Sequence, residues 1–215
     1  MDFMGPLPVS NGHDYLLVVI DHFTSEVHLI PTTTRVTTKE VAWLFLKEIV
    51  RLHRVPECIM SDREVKFTSR FWKELHQLLG MKLLMSTAFH PQTDGATKRA
   101  NRSIAQVLRT LIHNDQKDWD EHCPATEFAL NSSVSATTGY APFELCSGHI
   151  PQLGQCLSTD TQFTGVKRFA QQALWNLTMA LDAIIKHHMM QAHHAGEVRS
   201  AFARSSEGDG NAKVR

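Results

Sequence analysis

The sequence lacks any long hydrophobic run. Its longest purely aliphatic run, Leu16–Ile20, is five residues long, whereas a helix needs roughly 20 apolar residues to cross a bilayer. The N-terminus also lacks the charged-then-apolar pattern of a secretory signal. These absences argue against a secreted or membrane-spanning protein, and we expect an intracellular protein with no membrane partner.

Closely spaced cysteines are also missing. The four cysteines stand far apart, and no two have the short spacing of a zinc-binding pair: Cys58, Cys123, Cys146 and Cys156. An intracellular compartment disfavours disulfides. We therefore interpret all four cysteines as buried thiols.

Positive and negative charges are balanced, because the sequence has 22 lysine and arginine residues and 22 aspartate and glutamate residues. A strong overall field for nucleic acid is therefore absent. Acids are also missing from residues 98–109, which carry four basic side chains: Lys98, Arg99, Arg102 and Arg109. At 100° per residue, Lys98, Arg102 and Arg109 would share one side of a helix, and the apolar residues the other. The pattern predicts a basic helix face suited to phosphate contacts.

Hydrophobic residues make up 42% of the chain and charged residues 20%, as in a packed globular protein. Short apolar or β-branched runs predict strands at Tyr15–Ile20, Val27–Ile30, Cys58–Met60 and Leu83–Met85. Helical spacing and caps predict helices from the Thr37 cap to Pro56, over 69–79, 96–114 and 119–131, and after Pro142. The segment Thr87–Asp94 is predicted as a loop. This order implies an α/β fold, a mixed sheet with helices on both faces.

Composition divides the chain into three parts. Residues 1–155 form the predicted core, whose edge is marked by the polar sequence after Gln152. Residues 156–204 are predicted to be a helical linker or tail without a partner domain. Residues 205–215 are rich in glycine, serine and charge, so we predict that they are disordered.

Four segments carry a resemblance to a known family: Asp2–Pro8 (DFMGPLP), Ile59–Arg63 (IMSDR), Ser86–Gly95 (STAFHPQTDG) and Asn131–Ser133 (NSS). Together they resemble the integrase core of gypsy-type long-terminal-repeat retrotransposons, a relative of retroviral integrases. Each string alone is a weak signal, but four in the family's order and spacing are specific. The resemblance implies an RNase H-like fold with about five strands. The first strand is expected to be truncated here.

The resemblance also implies a chemistry. In that family two Asp and one Glu bind a pair of divalent metals, Mg²⁺ or Mn²⁺, which activate water or a 3′-hydroxyl and stabilise the leaving oxygen. Carried over by position, the first Asp falls on Asp2 and the second on Asp62. The family's Glu follows the second Asp after thirty-five intervening residues, and that position is Lys98. Lysine cannot replace a carboxylate as a ligand for a hard cation.

Two other acids are alternatives. Asp21 follows a predicted strand and competes with Asp2 as the first metal ligand. Glu64 lies two residues after Asp62 in a loop where the family usually has Gly or Asp, and it is a weak substitute for the missing third acid.

The implied function is DNA integration by metal-dependent polynucleotidyl transfer, with activity impaired in this copy by Lys98. The expected partners are DNA, both retrotransposon ends and target, and further copies of the chain, and the implied site of action is the nucleus. One alternative is a non-catalytic module, derived from an integrase, that binds nucleic acid or protein. Another is a decayed reading frame with no selected role.

Overall fold

The strands form two hydrogen-bonded groups. The computed structural model describes residues 1–62, 64–85, 91–112, 115–135, 138–151 and 164–208, excluding the side chains of residues 85, 91–98 and 191–208. Strands β1 (Asp2–Met4), β2 (Tyr15–Ile20) and β3 (Val27–Thr32) form an antiparallel sheet with β2 in the middle. Strands β4 (Cys58–Ser61) and β5 (Lys82–Met85) pair in parallel.

The two groups meet at the N-terminal residue. The Met1 nitrogen donates to the carbonyl oxygen of Met60 at 2.7 Å, so β1 lies beside β4. The described residues thus contain five strands, the number predicted, but as a three-stranded and a two-stranded sheet. Asp2, which lies in β1, is therefore close to Asp62, which directly follows β4.

Strand β2 is buried on both faces because its whole length is apolar. Successive side chains of a strand point to opposite faces, so Leu17 and Val19 enter one core while Leu16 and Val18 enter another. The first core is covered by helices that precede β5, and the second by helices that follow it. Helices therefore cover both faces of the sheet, as the sequence predicted.

The first core is covered by helices α1 (Thr38–Phe45) and α2 (Arg51–His53), joined by a π-helical turn at Leu46–Val50. Helix α1 begins where the sequence indicated, because Thr37 and Glu40 form a reciprocal capping box. Two further helices follow β4: α3 (Val65–Thr68) and α4 (Arg70–Leu78), the latter capped by Ser69.

The second core is covered by helices α5 (Pro91–Leu111) and α6 (Trp119–Ser132), followed by the short α7 (Pro142–Ser147). The predicted loop at Thr87–Asp94 is wrong for residues 91–94, which belong to α5. Proline is favoured in the first turn of a helix, because the missing N–H has no intrahelical partner there. Residues 87–90 lie outside the described residues.

Helix α8 (Thr164–Gly208) packs on the core. Its buried residues Ala180, Ala183 and Ile184 contact Val107 of α5 and Ala129 of α6. The sequence predicted a helical segment here but no partner for it, and the small apolar residues of α8 supply the contact. The proposed boundaries at residues 155 and 204 stay predictions. The helix runs to Gly208, and residues 209–215 of the segment predicted as disordered lie outside the described part.

The cysteine prediction was partly wrong. Cys123 is buried, but Cys58 and Cys146 are exposed, and Cys156 lies outside the described residues. Cys58 begins a strand and Cys146 lies in the last turn of a short surface helix, positions at which burial is incomplete. Within the described residues, no helix has the length and apolarity needed to span a membrane.

Candidate active site

Two neighbouring strands bring Asp2 and Asp62 together. Asp2 lies in β1, and Asp62 follows the last residue of β4. Both side chains are partly buried. The negative charge of Asp62 acts on Asp2, so the carboxylates lie close enough to interact. The first two residues of the predicted catalytic set therefore share one site.

Asn101 joins helix α5 to this pair, a contact that the sequence did not reveal. Its side-chain nitrogen donates to Asp2 Oδ2 at 2.7 Å. The other oxygen, Oδ1, accepts from the backbone nitrogen of Phe3 at 2.9 Å. The carboxylate of Asp2 is thereby held in one orientation between its own strand and α5.

The charge of Asp2 is destabilised despite these hydrogen bonds. Burial is the largest effect and raises the pKa of Asp2, and the nearby charge of Asp62 raises it further. The hydrogen bonds from Phe3 and Asn101 lower the pKa but do not compensate. A carboxyl with a raised pKa beside a second carboxylate is a common feature of functional sites. A bound cation would relieve this repulsion.

An aromatic and basic wall flanks the acids. The ring of Phe3 stacks on Tyr15 at a centroid distance of 4.9 Å, and the ammonium of Lys66 lies 4.8 Å from the Phe3 ring. Burial raises the pKa of Tyr15, and so do the charges of Glu64, Asp62 and, to a lesser extent, Asp2. Tyr15 thus lies within the field of the acid cluster.

Glu64, the alternative third acid, is near the pair but already engaged. Its carboxylate forms an ion pair with Lys66 at 2.7 Å. Its backbone nitrogen donates to Asp62 Oδ1 at 3.1 Å, which orients the second acid. Glu64 therefore supports Asp62 through its main chain, while its own charge is neutralised by Lys66.

The other competing acid, Asp21, has a local structural role. Its Oδ2 accepts from the backbone nitrogen of Thr24 at 2.9 Å and from the Thr24 hydroxyl at 2.7 Å. Although burial alone would raise the pKa of Asp21, these hydrogen bonds lower it. Asp21 closes the turn between β2 and β3, as Asp commonly does, and the structure does not bring it to Asp62.

Position 98 lies in α5, one turn before Asn101. Residues three apart on a helix share a face, so position 98 is on the side of α5 that faces Asp2. The Lys98 side chain itself lies outside the described residues. The structure describes the other three predicted DNA-binding residues, and all of them are exposed: Arg99, Arg102 and Arg109. The side of α5 opposite Arg102 and Arg109 is buried through Ile104, Val107 and Leu108, as the helical pattern predicted.

The described residues fit one hard divalent cation of the kind implied by the resemblance. Asp2 and Asp62 offer carboxylate oxygens, which Mg²⁺ and Mn²⁺ prefer. Asn101 adds an amide oxygen, Oδ1, that is buried without a hydrogen-bond partner among the described residues. Its amide nitrogen is assigned to Asp2 because an ionised carboxylate only accepts hydrogen bonds. The neutralised Glu64 does not complete a second metal site.

The fourth motif, Asn131–Ser133, has a structural role at its first residue. Asn131 is buried in α6, and its side-chain oxygen accepts from the Val27 nitrogen at 2.9 Å. Its side-chain nitrogen donates to the Val27 carbonyl, also at 2.9 Å. Asn131 therefore fixes α6 against the start of β3 and contributes to the site only indirectly.

Comparison with known families agrees with this geometry. The family described as "Integrase core domain" matches residues 1–91, a range that contains both Asp2 and Asp62. The chain resembles an integrase core. The match ends at the first residue of α5, so it does not cover position 98. The integrase-like core also matches the polyproteins of transposons Tf2-3 and Tf2-4 of Schizosaccharomyces pombe, each with 30% identity over 153 residues.

These relatives are much longer than the chain. The alignment covers 71% of this chain and 12% of each Tf2 polyprotein. Among solved structures, the HTLV-2 integrase catalytic core domain in complex with magnesium, in a trimeric form, is 20% identical with a TM-score of 0.51. It covers 66% of this chain and 93% of that one.

The simian T-cell lymphotropic virus intasome, in complex with PP2A regulatory subunit B56 gamma, is 17% identical with a TM-score of 0.55. It covers 75% of this chain and 60% of that one. At such low identities these structures show the fold. The integrase-like core thus has the mixed α/β architecture of integrase catalytic cores, which is RNase H-like.

Proposed function

We propose that the chain is the core of a gypsy-type retrotransposon integrase, a DNA strand transferase whose catalysis is impaired by Lys98. The observation that supports this most strongly is the convergence of Asp2, Asp62 and Asn101 from two strands and α5. The sequence match to the integrase core domain and to Tf2 polyproteins supports the same function. Because target DNA is chromosomal, the inferred site of action is the nucleus.

In this proposal Asp2 and Asp62 hold a Mg²⁺ or Mn²⁺ ion, which when bound polarises a phosphodiester and activates a water or 3′-hydroxyl. Asn101 fixes the rotamer of Asp2 and keeps one of its oxygens engaged. The main chain at Glu64 does the same for Asp62. The orientation of both carboxylates matters because a small displacement of a catalytic group lowers the reaction rate strongly.

Lys98 is the proposed cause of impairment. A family Glu at this position would give three negative groups, whereas lysine leaves two negative groups beside a fixed cation. Two unit charges 4 Å apart interact by about 4 kcal/mol at an effective dielectric near 20, and a divalent ion roughly doubles that repulsion. A protonated lysine has no lone pair with which to bind a metal. Metal affinity should therefore be low.

The test is metal-dependent strand transfer of a labelled DNA end by the protein and by Lys98→Glu. The Lys98→Glu variant should be the more active in Mn²⁺, and a Lys98→Glu/Asp62→Asn double variant should lose the gain, because the restored acid acts only with its partners. Equal activity of the parent and Lys98→Glu would disprove the proposed impairment. A gain that survives Asp62→Asn would disprove the proposed site.

A second function, non-catalytic binding of nucleic acid, is favoured by the exposed arginines of α5. The proposed contacts are with phosphates, so affinity should fall steeply with salt and depend little on sequence. We also infer that copies of the chain associate on DNA, as the trimeric and intasome forms of the similar structures suggest.

This second function is tested by fluorescence anisotropy with a labelled duplex at several salt concentrations. Arg102→Ala/Arg109→Ala should weaken binding and reduce the slope of log K against log salt by about 2, roughly 1 for each phosphate that is no longer neutralised by an arginine. The matched control is Lys167→Ala/Arg168→Ala on the exposed start of α8, which removes the same charge elsewhere. Binding that is insensitive to salt, or equally weakened by both double variants, would contradict the α5 assignment.

A further inference from the structure

A second cluster of potential metal ligands lies at the opposite edge of the three-stranded sheet. Glu26 precedes β3, His28 lies in β3, and His53 ends α2. One ligand atom from each of the three side chains lies within 4.8 Å of the others. The His28 and His53 Nε2 atoms are 2.8 Å apart, and His53 Nδ1 is 3.9 Å from Glu26 Oε2. Two imidazoles and a carboxylate thus lie close enough together for one ion to reach all three.

This cluster is separate from the Asp2 site. In the sheet register Asp2 pairs with Val18, and Val18 pairs with Leu29, so these three residues share one face. His28, the neighbour of Leu29 along β3, points to the other face. The two sites therefore lie two strands apart and on opposite faces.

A partly buried carboxylate orients His28. Glu127 of α6 lies 3.1 Å from His28 Nδ1 through Oε1, and its Oε2 accepts from the Leu29 backbone nitrogen at 2.8 Å. Because Glu127 is an acceptor, we assign the ring hydrogen of neutral His28 to Nδ1. The lone pair of Nε2 then faces the cluster. A carboxylate behind the outer nitrogen is the usual partner of a metal-bound histidine.

A thiol orients Glu26 in the same way. Cys146 of α7 donates to Glu26 Oε2, with the sulfur at 2.9 Å. The other carboxylate oxygen of Glu26 is left to face the histidines. Glu26 itself is buried, with 6% of its surface exposed, so its carboxylate is held toward the histidines.

We propose that Glu26, His28 and His53 form a binding site for a first-row divalent metal, for which zinc is the best fit. Two imidazoles and one carboxylate are a common zinc ligand set, in which a water takes the fourth position. The set contains nitrogen as well as oxygen, so Mg²⁺ would be disfavoured. The ion would join α2 to β3 and to Glu26, which Glu127 and Cys146, respectively, already connect to α6 and α7.

The experiment is calorimetric titration of the metal-free protein with Zn²⁺. The decisive variant is His53→Ala, because 37% of the His53 side chain is exposed and its loss should leave the fold intact, as checked by circular dichroism. This variant should bind zinc at least tenfold more weakly. Glu127→Gln keeps an acceptor for Leu29 but weakens the hold on His28, and should lower zinc affinity about 10- to 100-fold.

Two control variants separate this site from other candidates. His188→Ala removes one of two adjacent histidines on α8, and Asp62→Asn alters the acid pair. Both should bind zinc as the parent does. Zinc should also raise the melting temperature of the parent but not that of His53→Ala. Unchanged zinc affinity in His53→Ala, or a loss of affinity in either control variant, would overturn the proposal.

Discussion

Removing the side-chain amide of Asn131 should destabilise the fold substantially. Asn131 is only 1% exposed and makes two hydrogen bonds of 2.9 Å to the main chain of Val27, which is 6% exposed. Asn131→Ala leaves a backbone N–H and a carbonyl buried without partners. Each such group costs about 1–3 kcal/mol, so the free energy of unfolding should fall by about 2–6 kcal/mol.

A matched control lies on the same helix. Thr126 is also fully buried, and its hydroxyl has no hydrogen-bond partner among the described residues. Thr126→Val therefore removes a buried hydroxyl at no loss of hydrogen bonding, and should be neutral or stabilising. Urea denaturation of the three proteins measures the difference. If the free energy of unfolding falls by less than about 1 kcal/mol in Asn131→Ala, or by equal amounts in both variants, the Asn131 hydrogen bonds do not hold α6 to β3 as described.

Two further predictions concern titrating groups. Asn101→Ala removes a hydrogen bond that lowers the pKa of Asp2, so this pKa should rise further in the variant; NMR titration of the Asp2 carboxyl carbon checks this, and an unchanged pKa would contradict the contact. Burial lowers the pKa of His76, whose Nδ1 lies 2.8 Å from the Trp72 carbonyl oxygen. As the pH drops below about 6.5, His76 is protonated in the unfolded state but stays neutral in the folded state. The free energy of unfolding should therefore fall between about pH 6.5 and the lowered pKa of His76 in the folded protein. Denaturation at pH 7.5 and 5.5 should show a smaller fall for His76→Leu than for the parent, and equal falls would contradict the prediction.

Much of the fold could be predicted because local sequence signals and tertiary structure agree. The apolar run of β2 is buried on both faces, and the Thr37 and Ser69 caps begin helices at the expected positions. The start of α5 was predicted too late because His-Pro and Asp-Gly pairs usually mark turns. Here Pro91 occupies the first helical position instead.

The packing of α8 was beyond the reach of local patterns. Ala180 and Ala183 are small and moderately apolar, so they do not mark a strong helix face in the sequence. Their burial depends on the surface that α5 and α6 present. Likewise, Cys146 was predicted to be buried from its residue type alone, whereas its position at the end of α7 leaves it exposed.

The site was only partly predictable for a similar reason. Asp2 and Asp62 were identified through motifs, and the hydrogen bond from Met1 to Met60, which brings β1 beside β4, explains why they meet. Asn101 could have been identified from the sequence in one way, because it lies one turn after position 98 and therefore on the same face of the helix. The cluster around His28 had none, because His53 is separated from it by a whole helix in the sequence and reaches it only through the fold.

Metal titration tests whether Lys98 occupies the place of a metal-binding acid. Calorimetry with Mg²⁺ and Mn²⁺, together with metal-free thermal melts, would compare the parent with Lys98→Glu and Lys98→Ala. Lys98→Glu should bind metal at least about tenfold more tightly, a gain of roughly 1.4 kcal/mol, and should be less stable without metal. Lys98→Ala should lose metal-free stability and gain less affinity. Tight binding of two metal ions by the parent, equal to that of Lys98→Glu, would show that Lys98 does not impair the metal site.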